Sequence, residues 1–211
     1  MAKLYFYYGA MGARKTAEAI MTAFNYEEKG MKPFCISPAR DTRGTDGYWE
    51  SRMGLNRKAD LIVHEDTDIL KEVIHEKFDV IIVDEAQFLD DAHIWQLAEI
   101  VVKLNVSVMC YGLRTDFRGD LFKGSYRLMC LAHEIGEIKT MAIGEKATMN
   151  ARLVDGKMTL IGEQIQVGGN ESYTSMSLKE WMKGKADEEA RLNKTKKEVV
   201  LGKDNSNEDN I

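Results

Sequence analysis

Hydrophobic residues come in short unbroken blocks, separated by stretches in which they recur at helical spacing. Residues 3–8, 33–37, 61–64, 79–84 and 106–112 read as strands with little polar interruption. Residues 15–29, 67–77 and 91–104 read as helices; in the first of these Ala17, Ile20, Met21 and Phe24 share one face. Uninterrupted apolar strands alternating with helices predict an α/β fold, a parallel sheet covered on both faces. Right-handed crossovers then bring the C-terminal ends of the strands, and any ligand, to one edge. Behind residue 140 the period changes. Residues 147–154 alternate, Asp155-Gly156 makes a turn, 162–169 is a glycine-containing loop and 172–176 a short strand. From 178 to about 197 helix formers dominate, and 203–211 is a polar tail expected to be disordered. The expected division is an α/β nucleotide-binding domain over 1–140, a small β-rich domain over 141–182 and a charged, partly disordered segment over 183–211.

Composition narrows the function classes. A formal charge of −5 does not favour a non-specific nucleic-acid surface. No apolar stretch approaches the roughly 20 residues a membrane helix needs, and the first residues have no signal-peptide architecture. Cys35, Cys110 and Cys130 are an odd, scattered set, expected to be reduced thiols of a cytoplasmic protein.

Two motifs carry chemistry. The first strand opens into Gly9-Ala-Met-Gly-Ala-Arg-Lys-Thr16, a G-x-x-x-x-G-K-[ST] phosphate loop with Arg14 in place of the second glycine. Main-chain N–H groups at a helix N-terminus surround phosphates in such a loop. Lys15 would reach the β- and γ-phosphates and Thr16 would offer a hydroxyl to Mg²⁺. The Arg14 stem has two possible outcomes: it swings outward, or it crowds the phosphates. The second motif is Asp84-Glu85, which ends the apolar run 80–83. Aspartate at that point can hold Mg²⁺ through water, and the neighbouring Glu85 could act as a general base. Asp-Glu-Ala-Gln also resembles a helicase motif, but a helicase motor needs two such domains and a basic track, for which this chain is too short.

Together with Tyr111-Gly-Leu-Arg-Thr-Asp-Phe-Arg-Gly119, Gly168-Gly-Asn-Glu-Ser-Tyr173, Asn25-Tyr-Glu-Glu-Lys-Gly30 and Asp41-Thr-Arg43, these motifs give the chain an order and spacing that resembles the type-II, zinc-containing thymidine kinase family over roughly residues 1–182. The resemblance implies a P-loop, RecA-like sheet with a small lasso domain. It implies transfer of the ATP γ-phosphate to the 5′-hydroxyl of thymidine or deoxyuridine. By position Glu85 matches the catalytic base. Gly9, Ala10, Met11, Gly12, Ala13, Arg14, Lys15, Thr16, Asp84 and Gln87 match ATP and phosphate contacts, with Thr16 and Asp84 on Mg²⁺. Met11, Phe88, Leu113, Phe117, Phe122 and Tyr173 match residues around base and sugar; Gln164, Ile165, Gln166 and Val167 match the lasso that grips the base edge. Arg43 would lie near phosphate. The resemblance further implies a cytoplasmic homotetramer, salvage of nucleosides for DNA synthesis, inhibition by thymidine triphosphate, and no polymer or membrane partner.

The chain departs from the family in two places. The family's zinc ligands should fall near Met141-Ala-Ile-Gly144 and at Ser177 and Glu180, where no cysteine or histidine stands, so no zinc is expected. The small domain would then rest on its own packing, with Met141, Ile143, Met149, Met176 and Trp181 filling the space. The second departure is Arg14, which leaves open an alternative: a non-catalytic nucleoside- or nucleotide-binding protein on the same fold.

Overall fold

The structure, a computed structural model of the chain, describes residues 1–40, 47–164 and 172–204. Strands β1 (Leu4–Tyr8), β2 (Pro33–Pro38), β5 (Leu61–Val63), β6 (Val80–Val83), β7 (Ser107–Gly112) and β8 (Glu134–Glu137) form one parallel sheet, in the spatial order β5-β2-β6-β7-β1-β8. Strand β6 explains why the sequence blocks are unbroken. Ile81 and Val83 enter one core with Leu4, Phe6 and Val108, while Val80 and Ile82 enter another with Cys35 and Tyr111. Every side chain of the strand is buried, so no polar position remains to alternate. Helix α1 (Lys15–Glu28) covers the second face with Ala19, Ile20 and Ala23. Helices α2 (Ile69–Val73), α3 (Asp91–Lys103) and α4 (Lys123–Leu131) supply Ile69, Ile94, Leu97, Ile100 and Leu128 to the first. Burying each such aliphatic side chain is worth about 1.5–3 kcal/mol.

Helix α2 is shorter than the 67–77 expected. Asp68 caps it by accepting the Lys71 N–H at 3.2 Å, and it ends at Val73 because Ile74 is already half exposed and His75-Glu-Lys77 has no apolar face to bury. A hairpin of β3 (Tyr48–Glu50) and β4 (Asn56–Lys58) packs on α1 through the buried Trp49.

Beyond the sheet, β9 (Thr140–Met141) and β10 (Lys146–Ala147) form a small hairpin. Strand β11 (Met149–Val154) is the centre of a three-stranded antiparallel sheet, between β12 (Lys157–Thr159) and β13 (Tyr173–Met176). The β11–β12 turn has positive φ at Asp155 (50°) and Gly156 (72°), the geometry of a type I′ turn. Helix α5 (Leu178–Asp204) packs on this sheet, with Trp181, Met149, Ala151 and Met158 buried between them and Met176 against them. Two of the expected filling residues are not there. Met141 is 69% exposed and Ile143 92%: in the β9–β10 hairpin it is Ala147, not these two, that is buried. Helix α5 also continues past 197 to Asp204, and residues 205–211 lie outside the described residues. Among the described residues no helix is long and apolar enough to cross a membrane.

Candidate active site

Strands β6, β7 and β1 are neighbours and parallel, so their C-terminal ends come out side by side. Each of the two chemistry-bearing motifs leaves from one of them. The Gly9 N–H donates to the Gly112 carbonyl at 3.3 Å, which joins the phosphate-loop start to the end of β7. A Cβ on Gly9 would stand 2.5 Å from the Ile138 carbonyl oxygen, so only glycine fits there.

The loop runs into α1 without a side-chain cap at Arg14. The first N–H groups of a helix have no partner within it. With the helix dipole behind them they form a cradle for an anion. Arg14 has φ 62° and ψ 17°, the left-handed region that glycine ordinarily occupies. Its side chain is 61% exposed and lies 3.7 Å from Glu18, one helical turn on. Of the two outcomes for the stem, the outward one holds. Lys15 is buried, and its Nζ donates to the Gly9 and Ala10 carbonyls at 3.3 and 3.0 Å. Its ammonium thus lies inside the loop's own curve.

Asp84 and Glu85 are 1% and 2% exposed. Glu85 also sits in the left-handed region (φ 50°), a conformation that costs a non-glycine residue about 1–2 kcal/mol. Strain of this kind persists where the surroundings over-determine it, typically at functional sites. The Gln87 amide is the link between β6 and β7. Its Oε1 accepts the Leu113 N–H at 2.9 Å, which orients the amide so that Nε2 donates to the Glu85 carboxylate. Gly112 keeps room for it, since a Cβ there would come within 2.7 Å of Oε1. Nearby, burial pushes the Tyr111 hydroxyl up to about 12, offset in part by its 3.0 Å hydrogen bond with Thr22 and reinforced by the Asp84 charge.

The expected aromatic residues meet in two pairs. Phe88 and Phe122 meet edge to face at 5.8 Å, and so do Phe117 and Tyr173 at 6.4 Å. Phe117 and Phe122 are buried, while Phe88, Leu113, Met11, Gln164 and Tyr173 are half-buried. The Ser125 hydroxyl donates to the Leu113 carbonyl at 2.5 Å, fixing the chain between them. Ile165, Gln166, Val167 and Arg43 lie outside the described residues.

Three polar residues that sequence reasoning missed organise this region. Asn150 accepts the Met11 N–H at 2.8 Å and donates to the Thr115 carbonyl at 2.9 Å, joining the phosphate loop to β11. Asp116, 2% exposed, accepts the Arg118 and Asp120 N–H groups at 2.9 and 3.0 Å and the Gln164 amide at 3.2 Å. Arg118 is its ion-pair partner at 3.1 Å. Arg152 contacts Phe117 and Tyr173. The missed signal was period two: Asn150 and Arg152 share one face of β11, opposite Met149 and Ala151, and both faces are buried.

The donor set suits a hard cation. The Thr16 hydroxyl and the Asp84 carboxylate are oxygen ligands of the kind Mg²⁺ prefers. The family's zinc positions have another use here. The Ser177 N–H donates to Glu180 Oε2 at 2.9 Å and the Glu180 N–H to Ser177 Oγ at 3.2 Å, a reciprocal capping box at the start of α5. Hard oxygens engaged in a helix cap are not the thiolate and imidazole set that structural zinc takes.

Residues 2–181 match the family described as Thymidine kinase. The chain is 45% identical over 192 residues to a thymidine kinase of Xanthomonas campestris pv. campestris (strain 8004), covering 87% of this chain and 90% of the relative. It is 46% identical over 187 residues to one of Streptococcus gordonii, covering 87% and 97%. For one of Legionella pneumophila (strain Lens) the identity is 42% over 194 residues, covering 88% and 92%. An anion cradle after β1, a buried carboxylate pair after β6 at the same sheet edge, and matches of this length agree: the chain belongs to the thymidine kinase family.

Proposed function

We propose that the protein transfers the γ-phosphoryl group of ATP to the 5′-hydroxyl of thymidine or deoxyuridine. One observation carries the reading. A buried, strained Glu85, oriented by Gln87, follows β6 at the same edge of the parallel sheet from which the phosphate loop leaves β1, with β7 between them. Glu85 accepts the proton of the 5′-hydroxyl as that oxygen attacks the γ-phosphorus and the bond to the leaving ADP oxygen breaks. The loop amides of residues 9–16 and Lys15 hold the phosphates, with Gln87 beside them. Thr16 and Asp84 are the residues that would hold Mg²⁺, which when bound neutralises phosphate charge. Phe88, Phe117, Phe122, Leu113, Met11 and Tyr173 enclose base and sugar, and Gln164 to Val167 meet the base edge with main-chain groups. Rate enhancement comes from positioning and fixed charge. The outward Arg14 side chain removes the ground for the non-catalytic alternative.

The same reading takes 1–140 as the nucleotide-binding domain, 141–182 as a lasso domain without zinc and 183–211 as a charged extension. It takes the active form as a cytoplasmic homotetramer in nucleoside salvage, inhibited by thymidine triphosphate. The test is Glu85→Gln. With Mg-ATP and thymidine, turnover falls by about 10²–10⁴-fold, the usual worth of a general base, while thymidine still raises the melting temperature. Full activity in that variant would remove Glu85 from the base role.

A further inference from the structure

Arg152 lies in the middle of β11, opposite Tyr173 in register, and is 4% exposed. Its guanidinium is held by neutral groups. Nε donates to the Tyr173 hydroxyl at 2.7 Å, and Nη2 donates to the same oxygen and to the Glu163 carbonyl, the latter at 2.8 Å. Cζ lies 3.9 Å from the Phe117 ring centroid and 5.0 Å from that of Tyr173. A Cβ on Gly162 would stand 2.5 Å from Nη1, so the glycine at the entrance of the following loop leaves the space this cation fills. Gln164, two residues on, is tied to the buried Asp116.

Burying a guanidinium is costly unless every donor is used. Ion pairing is not what these contacts achieve; they are a phenol, a carbonyl and two ring faces. What they achieve is geometric. Glu163 is where the chain enters the loop that leads to β13, and Tyr173 is where it leaves. One planar group therefore fixes entrance, exit and the Phe117 ring at once. We infer that Arg152 is a positioning residue for nucleoside recognition: it holds the loop entrance and the Tyr173 ring in the arrangement that receives the pyrimidine, without touching the reacting atoms. The inference rests on the assignment of Phe117, Tyr173 and the loop to the nucleoside. Holding Glu163 and the Tyr173 and Phe117 rings in place before the ligand arrives lowers the entropy lost on binding, so Arg152 acts on thymidine affinity and not on the donor end.

Full-length Arg152→Lys, Tyr173→Phe, the double variant and Tyr173→Ala test this by steady-state kinetics in both substrates. A lysine cannot stack and serve two acceptors in one plane. Arg152→Lys and Tyr173→Phe should each raise the thymidine KM about tenfold, the value of one charge-assisted hydrogen bond, with kcat and the ATP KM within about twofold. The double variant should be no worse than Arg152→Lys alone, since the two groups act as one unit. Tyr173→Ala reports on the underlying assignment. If it raises the thymidine KM while Arg152→Lys and Tyr173→Phe do not, the inference is overturned and the nucleoside site stands. If Tyr173→Ala also leaves that KM unchanged, the site assignment fails and the inference with it. Equal losses in kcat and in both KM values for Arg152→Lys would make the residue a general structural one and overturn the positioning role.

Discussion

Replacing Arg14 separates backbone strain from side-chain effects at the phosphate loop. The residue has φ 62°, and its guanidinium, 61% exposed, lies 3.7 Å from Glu18. A left-handed non-glycine residue costs about 1–2 kcal/mol. An exposed i,i+4 ion pair is worth about 0.3 kcal/mol. Arg14→Ala removes the ion pair and keeps the strain, so it should be slightly less stable than the parent. Arg14→Gly removes both but lets the unfolded chain roam more freely, a loss of about 0.4–1 kcal/mol. Taking mid-range values, glycine should be more stable than alanine by about 0.8 kcal/mol. For a chain of this size that is about 2 °C in melting temperature. Because the side chain is turned to the helix flank, the KM for Mg-ATP should stay within about twofold in both variants. Differential scanning calorimetry and initial-rate kinetics read both quantities. A glycine variant that melts below the alanine one, or a tenfold ATP effect common to both, would contradict this account of Arg14.

Gly112→Ala drives a methyl group to within 2.7 Å of Gln87 Oε1 and 3.2 Å of its N; displacing the amide that orients Glu85 should lower kcat about tenfold, the rate equivalent of one lost hydrogen bond, and an unchanged kcat would show that Gln87 has no such role. Ser177→Ala breaks the α5 capping box and should cost about 1 kcal/mol, or roughly 2–4 °C. A chelator should leave the parent's melting temperature where it was, and a chelator-induced drop with stoichiometric zinc in the protein would refute the cap as the replacement for a metal. Cys35 and Cys110 are fully buried, burial pushing the Cys35 thiol up to about 11 and that of Cys110 further, whereas Cys130 is exposed. At pH 8 a thiol reagent should label Cys130 alone in the native state; early labelling of Cys35 would mean that the β2 region opens.

The sheet was legible because its strands are covered on both faces. Val80–Val83 has no polar position, so an apolar block and a buried strand are the same thing. Helix α4 was not legible. It carries Gly124 and Ser125, poor helix formers, and Gly124 is there because a Cβ would stand 2.5 Å from the Ala86 carbonyl. Strand β8 is a sheet edge with only partial cover, and the β3–β4 hairpin is held by one buried side chain, Trp49, and by the Arg57–Glu27 ion pair to α1; neither leaves a periodic trace. At the site, motif spacing located the residues at the ends of β1 and β6, whose positions follow from local sequence. Asn150, Arg152 and Asp116 act through contacts 11 to 139 residues away or through a loop's own backbone, and no local pattern encodes those distances. The fate of the Arg14 stem was likewise beyond sequence, since it depends on which way a left-handed residue points.

Asn150 has a mechanical consequence. Through one amide it bolts the phosphate-loop segment at Met11 to the turn at Thr115, and the Trp181 indole clamps the main chain at Asn150 and Phe117 by hydrogen bonds of 3.1 and 3.2 Å. On the proposed reading of these segments, the phosphate side and the nucleoside side of the site are therefore tied into one frame by contacts made at folding, before either substrate arrives.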